Sequence, residues 1–374
     1  MNMLYDIRSA VRGMRTGVPA YAWFLLRHML ERKEWDTDIL ANSFRGCEKD
    51  LRSSFPEAGK IIDWGIPNRL FEFTYRLGLP RMGPGYDVVL RPHFHPLRVR
   101  GAKDVLVFHD LSFARYPGFF SRRKRLWHWL HDPMGQALRA DRVIAVSEST
   151  KRDIVELFGV PEEKVRVAYS GLDPQYREDI KEGEMKRVGE KYGLEKRFVL
   201  FVGTVEPRKN VAGLIRAFGM LKRRSGTKDV ELIIAGGKGW LPGGVEKALQ
   251  ESPARDAIRF LGHVPQEDMP PLYRLASVFA FPSFFEGFGF PPLEAQASGV
   301  PVVASLNGGL SEVLKESAES VSPGEDKDIA DGLERVLSDK GRAESLVRKG
   351  RENVRRFDWS RTAEEISGIC KEIL

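Results

Sequence analysis

The sequence predicts an α/β fold of two domains, each built on a mostly parallel sheet. Three observations carry that expectation. Residues 278–305 read as strand, glycine loop, helix and strand. Val278–Phe281 is an apolar run of strand length, Pro282 and Ser283 end it, Pro291 and Pro292 stand where a helix begins, and Gly299 stands where one stops, before a second apolar run, Val300 to Ala304. Further apolar runs of strand length recur along the chain, separated by polar or glycine-bearing loops and helical patterns. The chain has 374 residues, too many for one ordinary core and suited to two α/β domains.

Composition narrows the class. With 42% hydrophobic and 30% charged residues the chain reads as globular, and no run of about 18 apolar residues marks a membrane span. Arg8, Arg12 and Arg15 follow the first strand with no apolar stretch behind them, which argues against a signal peptide. Cys47 and Cys370 match no metal or redox spacing, so a reducing, cytoplasmic setting is expected. The net charge of +7 resides in the first 170 residues, which points to an anionic partner or membrane surface there. No nucleic-acid recognition motif accompanies it, although a basic binding protein remains a competing class.

Taken in order, Met3–Ile7 reads as the first strand, Arg8–Gly17 as a basic loop, and Tyr21–Leu30 as apolar at helical spacing. Asp36-Thr37-Asp38 has the look of a metal-binding pair but leads into the strand-like Ile39–Ala41, and is read as structural. Asp87–Leu90 is a buried strand. In Arg91-Pro92-His93-Phe94-His95-Pro96, two histidines invite a metal, yet no third ligand is evident, and a loop beside a substrate is the plainer reading. Val105–Phe108 follows, with His109-Asp110 at its carboxyl end, where open α/β sheets bind ligands. Ser121–Leu130 sets four cations beside two tryptophans, the composition of an interfacial helix; the alternative is a solvated face with its indoles packed inward. Val143–Val146 is a strand, Ser147–Thr150 can cap a helix from near Lys151, and Val165–Tyr169 completes the first domain.

Gly171 to about Lys196 is a polar crossing with a short helix, and Phe198–Val202 opens the second sheet. The run Gly203-Thr204-Val205-Glu206-Pro207-Arg208-Lys209-Asn210 places two cations past a strand's carboxyl end, suited to a diphosphate; surface charges ahead of a helix are the alternative. Leu232–Ala235 ends in Gly236-Gly237-Lys238-Gly239, which is not a dinucleotide fingerprint. In the loop Glu286-Gly287-Phe288-Gly289-Phe290 the glycines admit close backbone approach, and the helix behind presents its positive end. Glu286 and Glu294 flank this point. Either they face one pocket from two directions, or Glu294 complements the helix dipole and Glu286 is solvated. Asn307-Gly308-Gly309 with Glu312 forms another loop-to-helix turn, Asp326-Lys327-Asp328 opens a helix, and Phe357-Asp358-Trp359 precedes a final one.

Residues 278–305 resemble the signature of retaining, nucleotide-sugar-dependent glycosyltransferases of family 4 (group 1), which carry two glutamates at this spacing around Gly-Phe-Gly. The resemblance continues at Phe201–Phe218, His109–Pro117 and Val143–Ile154, in the family's order. It implies the GT-B fold, two Rossmann-like domains facing each other across a deep cleft. Residues 1–171 would form an acceptor-binding domain, with the C-terminal helix 358–374 packing back on it, and residues 172–357 a donor-binding domain. The resemblance gives Glu286 the donor-sugar hydroxyls, Glu294 the ribose, and His109 a contact to the sugar. Lys209 and Arg208, with helix N-terminal amides, would hold the leaving diphosphate. Val264, within Phe260–Pro265, would meet the base by its backbone, and Gly17, Thr204, Gly236, Gly287, Phe288, Gly289 and Phe290 would complete the donor site. The sequence departs from the family pattern at Thr204, where many relatives carry arginine, and at Pro19, where relatives have a second glycine.

The activity so implied is transfer of a hexose, with GDP-mannose the leading donor, to a glycan or lipid-linked acceptor in surface-polysaccharide or lipopolysaccharide assembly. It would need no metal or other cofactor and would retain anomeric configuration. The expected partners are the nucleotide sugar, the acceptor and an anionic membrane surface met through residues 121–130, with no nucleic acid. A sugar-nucleotide-binding protein without turnover and an epimerase of the same architecture are the competing readings.

Overall fold

The computed structural model describes residues 1–11, 17–43, 46–66, 83–237, 239–240 and 243–374. Arg12, Arg15 and Lys238 lie outside the described residues. The chain divides into two compact units, one of Met1–Arg115, Arg122–Gly171 and Phe357–Leu374, the other of Tyr116–Ser121 and Leu172–Arg356. Phe357 and the C-terminal helix thus group with the first unit, and Tyr116–Ser121 with the second.

The first unit is built on β1 (Asn2–Asp6), β2 (Asp36–Ala41), β3 (Ile61–Asp63), β4 (Val88–Arg91), β5 (Lys103–Phe108), β6 (Arg142–Ala145) and β7 (Val165–Val167). They lie in the order β3-β2-β1-β4-β5-β6-β7, all paired in parallel. The Val, Ile and Leu side chains of the inner strands β1, β2, β4, β5 and β6 are buried, as a parallel sheet covered by helices on both faces requires, whereas the edge strand β3 and Val167 of β7 are only partly so. The first helix, Val18–Glu31, begins with Pro19 in its first turn, where the absent N–H costs nothing, and buries Tyr21, Leu25, Leu26 and Met29.

Several local expectations are corrected. Arg8, in the loop after β1, is buried, which its charge alone did not announce, and its guanidinium grips Asp6 at 2.7 and 2.9 Å. The helix expected near Lys151 starts earlier, at Glu148, because Ser147 Oγ accepts the Thr150 N–H and caps it there. The helix Arg122–His131 divides its two tryptophans. Trp127 packs on the first-unit core and against the His131 ring at 3.9 Å, whereas Trp129 is 72% exposed.

The helix Trp359–Lys371 belongs to the first unit. Asp358 caps it through the N–H groups of Ser360 and Arg361. The Trp359 ring stacks on Phe24 at 5.8 Å and meets Tyr21 edge-on at 5.3 Å. Trp35 Nε1 donates to Ser367 Oγ at 2.8 Å, and Glu34 accepts from Ser367 and Lys371. A Cβ at Gly171 would collide with the Trp359 backbone, so glycine is needed for this close approach.

The second unit carries β8 (Phe198–Val202), β9 (Glu231–Ala235), β10 (Ile258–Gly262), β11 (Val278–Phe281), β12 (Val302–Ala304) and β13 (Glu319–Ser320). Their order is β10-β9-β8-β11-β12-β13, again all parallel. β12 starts two residues later than the apolar run suggests, because the Val300 N–H is still spent on Ala295 O at the end of the preceding helix. Between β8 and β11 the winding reverses direction. Such a switch point leaves a crevice at the carboxyl ends of the two strands, which is where doubly wound sheets bind ligands.

Candidate functional site

Both chemical motifs of the second unit fall at that switch point. After β8 the chain turns through Gly203 into the 3-10 turn Pro207–Lys209, which delivers Arg208 and Lys209. After β11 it enters the loop that delivers Glu286. Backbone bonds sew the two together: the Phe284 N–H donates to Arg208 O at 2.8 Å, and Arg208 Nη1 donates to Phe285 O at 2.8 Å. From the other side Glu286 forms a parallel bridge with Gly308, and the Gly309 N–H donates to Glu286 O at 2.7 Å. Gly308 has φ 62°, and a Cβ there would collide with the Glu286 carbonyl, so this bridge depends on glycine.

The side chains form a buried four-charge cluster. Glu286 accepts from Lys209 Nζ through Oε1 at 2.6 Å and faces Arg208 Nη1 through Oε2 at 2.6 Å. Arg208 Nη2 also meets Glu206 Oε1 at 2.9 Å, and Lys209 Nζ lies 4.6 Å from the centre of the Phe281 ring. Burial alone would push the Glu286 carboxyl up, but Arg208 and Lys209 outweigh it and hold the group below the usual carboxylate range. Burial pushes Glu206 up and pulls the Lys209 ammonium down, each partly offset by opposite charges nearby. Two cations and two carboxylates therefore balance. Among the described residues the cluster is neutral, so an anion would share the cations with Glu286 and Glu206.

Glu294 stands apart from that balance. It sits in the helix Phe290–Ala297, and Tyr273 Oη donates to its Oε2 at 2.7 Å. Burial pushes its carboxyl up to about 7, with the Tyr273 hydrogen bond opposing and Asp173 adding to the rise. Gly289, with φ 99°, turns the chain into this helix. Pro291 and Pro292 carry no N–H, so two of the helix's first donors are missing. The backbone N–H groups left at this point are those of Gly287, Phe288, Gly289 and Phe290. Phe288 is buried and its ring meets that of Phe290 at 5.3 Å.

The remaining donor-site expectations lie on neighbouring loops of the same unit. Gly236 follows β9 with φ 147°, and a Cβ there would strike Gly203 O, so the ends of β8 and β9 touch backbone to backbone. Thr204 is exposed beside them. Val264 is buried just beyond β10. In the first unit, His109 directly follows β5. Its Nε2 lies 2.7 Å from Pro92 O at the end of β4, and its ring meets Tyr21 edge-on at 4.6 Å. Burial lowers its pKa, and because a carbonyl can only accept, the neutral ring carries its proton on Nε2 and leaves Nδ1 as an acceptor. Gly17, with φ 60°, precedes the first helix and is exposed. The His93 ring stacks on Phe94 at 4.2 Å and lies tilted against His95 at 4.6 Å. Among the described residues no group of three ligating side chains could hold a metal, and none of the helices is long and apolar enough to cross a membrane.

The family models "Glycosyl transferases group 1" and "Glycosyltransferase Family 4" match residues 184–353 and 15–176. O-antigen chain mannosyltransferase B of Escherichia coli is 31% identical over 272 residues, 72% of this chain and 70% of the relative. The chain belongs to the group 1, family 4 glycosyltransferases. An uncharacterized glycosyltransferase of Methanocaldococcus jannaschii is 32% identical over 270 residues, 70% of this chain and 67% of that one. Anabaena HepE, solved in complex with UDP and glucose, superposes with a TM-score of 0.74 at 18% identity, covering 99% of both chains, which places this glycosyltransferase in the GT-B fold.

In this nucleotide-sugar-dependent glycosyltransferase, then, Lys209, Arg208 and Glu286 come together in one cluster. Two side chains that contact the residues singled out escaped the sequence reading. Glu206 lay inside a motif that was read for its cations, and its two-residue spacing from Arg208 was the available signal. Tyr273 lies 21 residues from Glu294 on another helix, and nothing local announces the contact.

Proposed function

We propose that this glycosyltransferase moves a hexose, with mannose from GDP-mannose as the leading case, to a glycan or lipid-linked acceptor of a surface polysaccharide, with retention and without a metal. The observation that carries the proposal is the Lys209–Arg208–Glu286 cluster at the switch point of the second sheet. Departure of a nucleoside diphosphate puts negative charge on its terminal phosphate. Cations fixed in a dry site act on that charge most strongly in the transition state, where it is largest. Lys209 Nζ makes a single hydrogen bond among the described residues, to Glu286, and has two further N–H groups to offer. Glu286, kept ionised by its neighbours, can accept from donor-sugar hydroxyls, and Glu294 from the ribose. The departing phosphate oxygen can take the acceptor's proton, so the reaction requires no protein base.

The acceptor and its lipid favour contact with the inner face of the membrane through the helix Arg122–His131. Leu126, Trp129 and Leu130 are exposed there beside the exposed Arg122, Arg123 and Arg125, and Met134 and Leu138 extend the apolar side onto the next helix. The name of the Escherichia coli relative supports both mannose and an O-antigen-like product. The deciding experiment screens GDP, UDP and ADP and their sugars by thermal shift, then assays transfer from the best donor with and without chelator. GDP-mannose giving the largest shift, and chelator-resistant transfer with the α-anomer retained, support the proposal. Preference for another donor, loss of transfer with chelator, or inversion overturns the corresponding part.

A further inference from the structure

Tyr273 takes no part in the chemistry above, yet it is held tightly in the second unit. The short helix Met269–Leu275 carries it beside the helix Phe290–Ala297. Its ring is fully buried, with Tyr176 edge-on at 5.6 Å and Phe279 at 5.5 Å, so the hydroxyl has one direction to point. The helix itself is pinned at Asp268, a buried carboxylate that takes Lys191 Nζ at 2.5 Å, Arg187 Nη1 at 2.7 Å and Tyr192 Oη at 2.8 Å. At the far end of this arrangement Tyr273 Oη donates to Glu294 Oε2, while Oε1 of the same carboxylate makes no hydrogen bond among the described residues.

We infer that Tyr273 is a positioning residue for the nucleotide: it locks Oε2 of Glu294 so that Oε1 is presented to a ribose hydroxyl. The inference rests on the reading that Glu294 meets the ribose. The surroundings of the carboxylate support it. No cation pairs with Glu294 among the described residues. Tyr176 and Asp173 face it from the segment before the second sheet, where Asp173 accepts from Gln175. On the elements packed beside it, Arg177 donates to Val354 O, and Arg356 to Asn353 Oδ1 and Glu312 O. With its carboxyl pushed up to about 7 and Asp173 working against ionisation, Glu294 relies on the Tyr273 hydroxyl as its stabilising donor. A ribose O–H prefers the carboxylate to the acid, so nucleotide binding should release a proton near neutrality and weaken as the pH falls through about 7.

The test is isothermal titration of GDP, UDP, 2′,3′-dideoxy-GDP and inorganic pyrophosphate into wild type, Tyr273→Phe and Glu294→Gln, at pH values on both sides of neutrality. In Tyr273→Phe the affinity for GDP and UDP falls about tenfold, the size of a lost hydrogen bond to a charged group. The midpoint of its pH dependence moves up, because a bond that stabilised the carboxylate is gone. Pyrophosphate and the dideoxy nucleotide bind the variant as they bind wild type. In Glu294→Gln the proton release near neutrality disappears. Equal weakening of pyrophosphate would show a packing role and overturn the inference, as would unchanged GDP affinity with an unmoved midpoint. If wild type binds no nucleoside diphosphate, the nucleotide-sugar reading falls with it; if wild type binds and the variant matches it, this inference alone falls.

Discussion

The neutral cluster makes an unusual demand on Glu286. Glu286→Gln keeps the shape and the hydrogen-bonding oxygen but removes one of two negative charges set against Arg208 and Lys209, which lie 2.6 Å from its oxygens. A phosphate oxygen docked on the other side of Lys209 would sit ~5 Å from that carboxylate, where one charge pair is worth about 3 kcal/mol at an effective dielectric constant of about 20. Ionic screening and the dipole of the new amide reduce the effect to about 1–2 kcal/mol. GDP and pyrophosphate should therefore bind the variant roughly 5–30-fold more tightly than wild type. Turnover should fall in the same protein, because the sugar loses its charged acceptor and the product leaves more slowly. The free variant should melt lower, since Lys209 loses its partner, and GDP should raise its melting temperature by more than it raises that of wild type. Calorimetry measures the affinities directly. Equal or weaker binding of both ligands would refute the reasoning, because the carboxylate would then not be competing with the phosphates for the cations.

Further outcomes follow from other parts of the same site. Lys209→Ala should lower kcat by about 10²–10³, on the order of 3–4 kcal/mol, in a steady-state transfer assay; a loss below about tenfold would remove it from leaving-group stabilisation. Glu294 has a folded-state pKa raised to about 7, so the native chain holds its proton more tightly than the unfolded one, and stability should fall as pH rises from the ordinary glutamate range to about 7. Glu294→Gln should remove that slope and be more stable than wild type at pH 8 by up to about 3 kcal/mol in urea melts, with the gap closing near pH 5. Gly308→Ala should cost about 1–3 kcal/mol and depress turnover, because the positive φ and the Glu286 carbonyl both reject a Cβ; a normal melt would show that the bridge yields easily. Trp129→Glu should weaken cosedimentation with anionic vesicles while leaving transfer to a water-soluble acceptor intact, whereas unchanged vesicle binding would remove this helix from the membrane contact.

Most of the strands and the two motifs were legible because each is a local pattern: Val278–Phe281 announces a buried strand by itself, and Pro282 announces its end, whereas the order of the strands in each sheet and the short edge strands β3 and β13 were not. What hid was whatever depends on partners distant in sequence. Arg8 looked like one more loop cation because Asp6 was read as strand, although only folding decides that the two close on each other. Trp127 and Trp129 looked equivalent in composition, yet helical phase separates them, since Trp127 shares its face with His131 four residues on and Trp129 with Leu126 and Leu130. The charge balance around Glu286 was hidden for a related reason. Residues 206–209 and 286 are individually plain in the sequence, but whether the cations wait unpaired for an anion or are already matched depends on a distance across 77 residues.

The helix Trp359–Lys371 has a consequence for synthesis at the ribosome. It covers Tyr21, Phe24 and Trp35, so the hydrophobic wall formed early in translation stays bare while some three hundred further residues are made. The later-made unit, drawn almost wholly from Leu172–Arg356, can close as soon as it emerges. Assembly would thus run out of order, with the half begun first finished last, and nascent chains stalled before residue 357 should present an adhesive surface to chaperones.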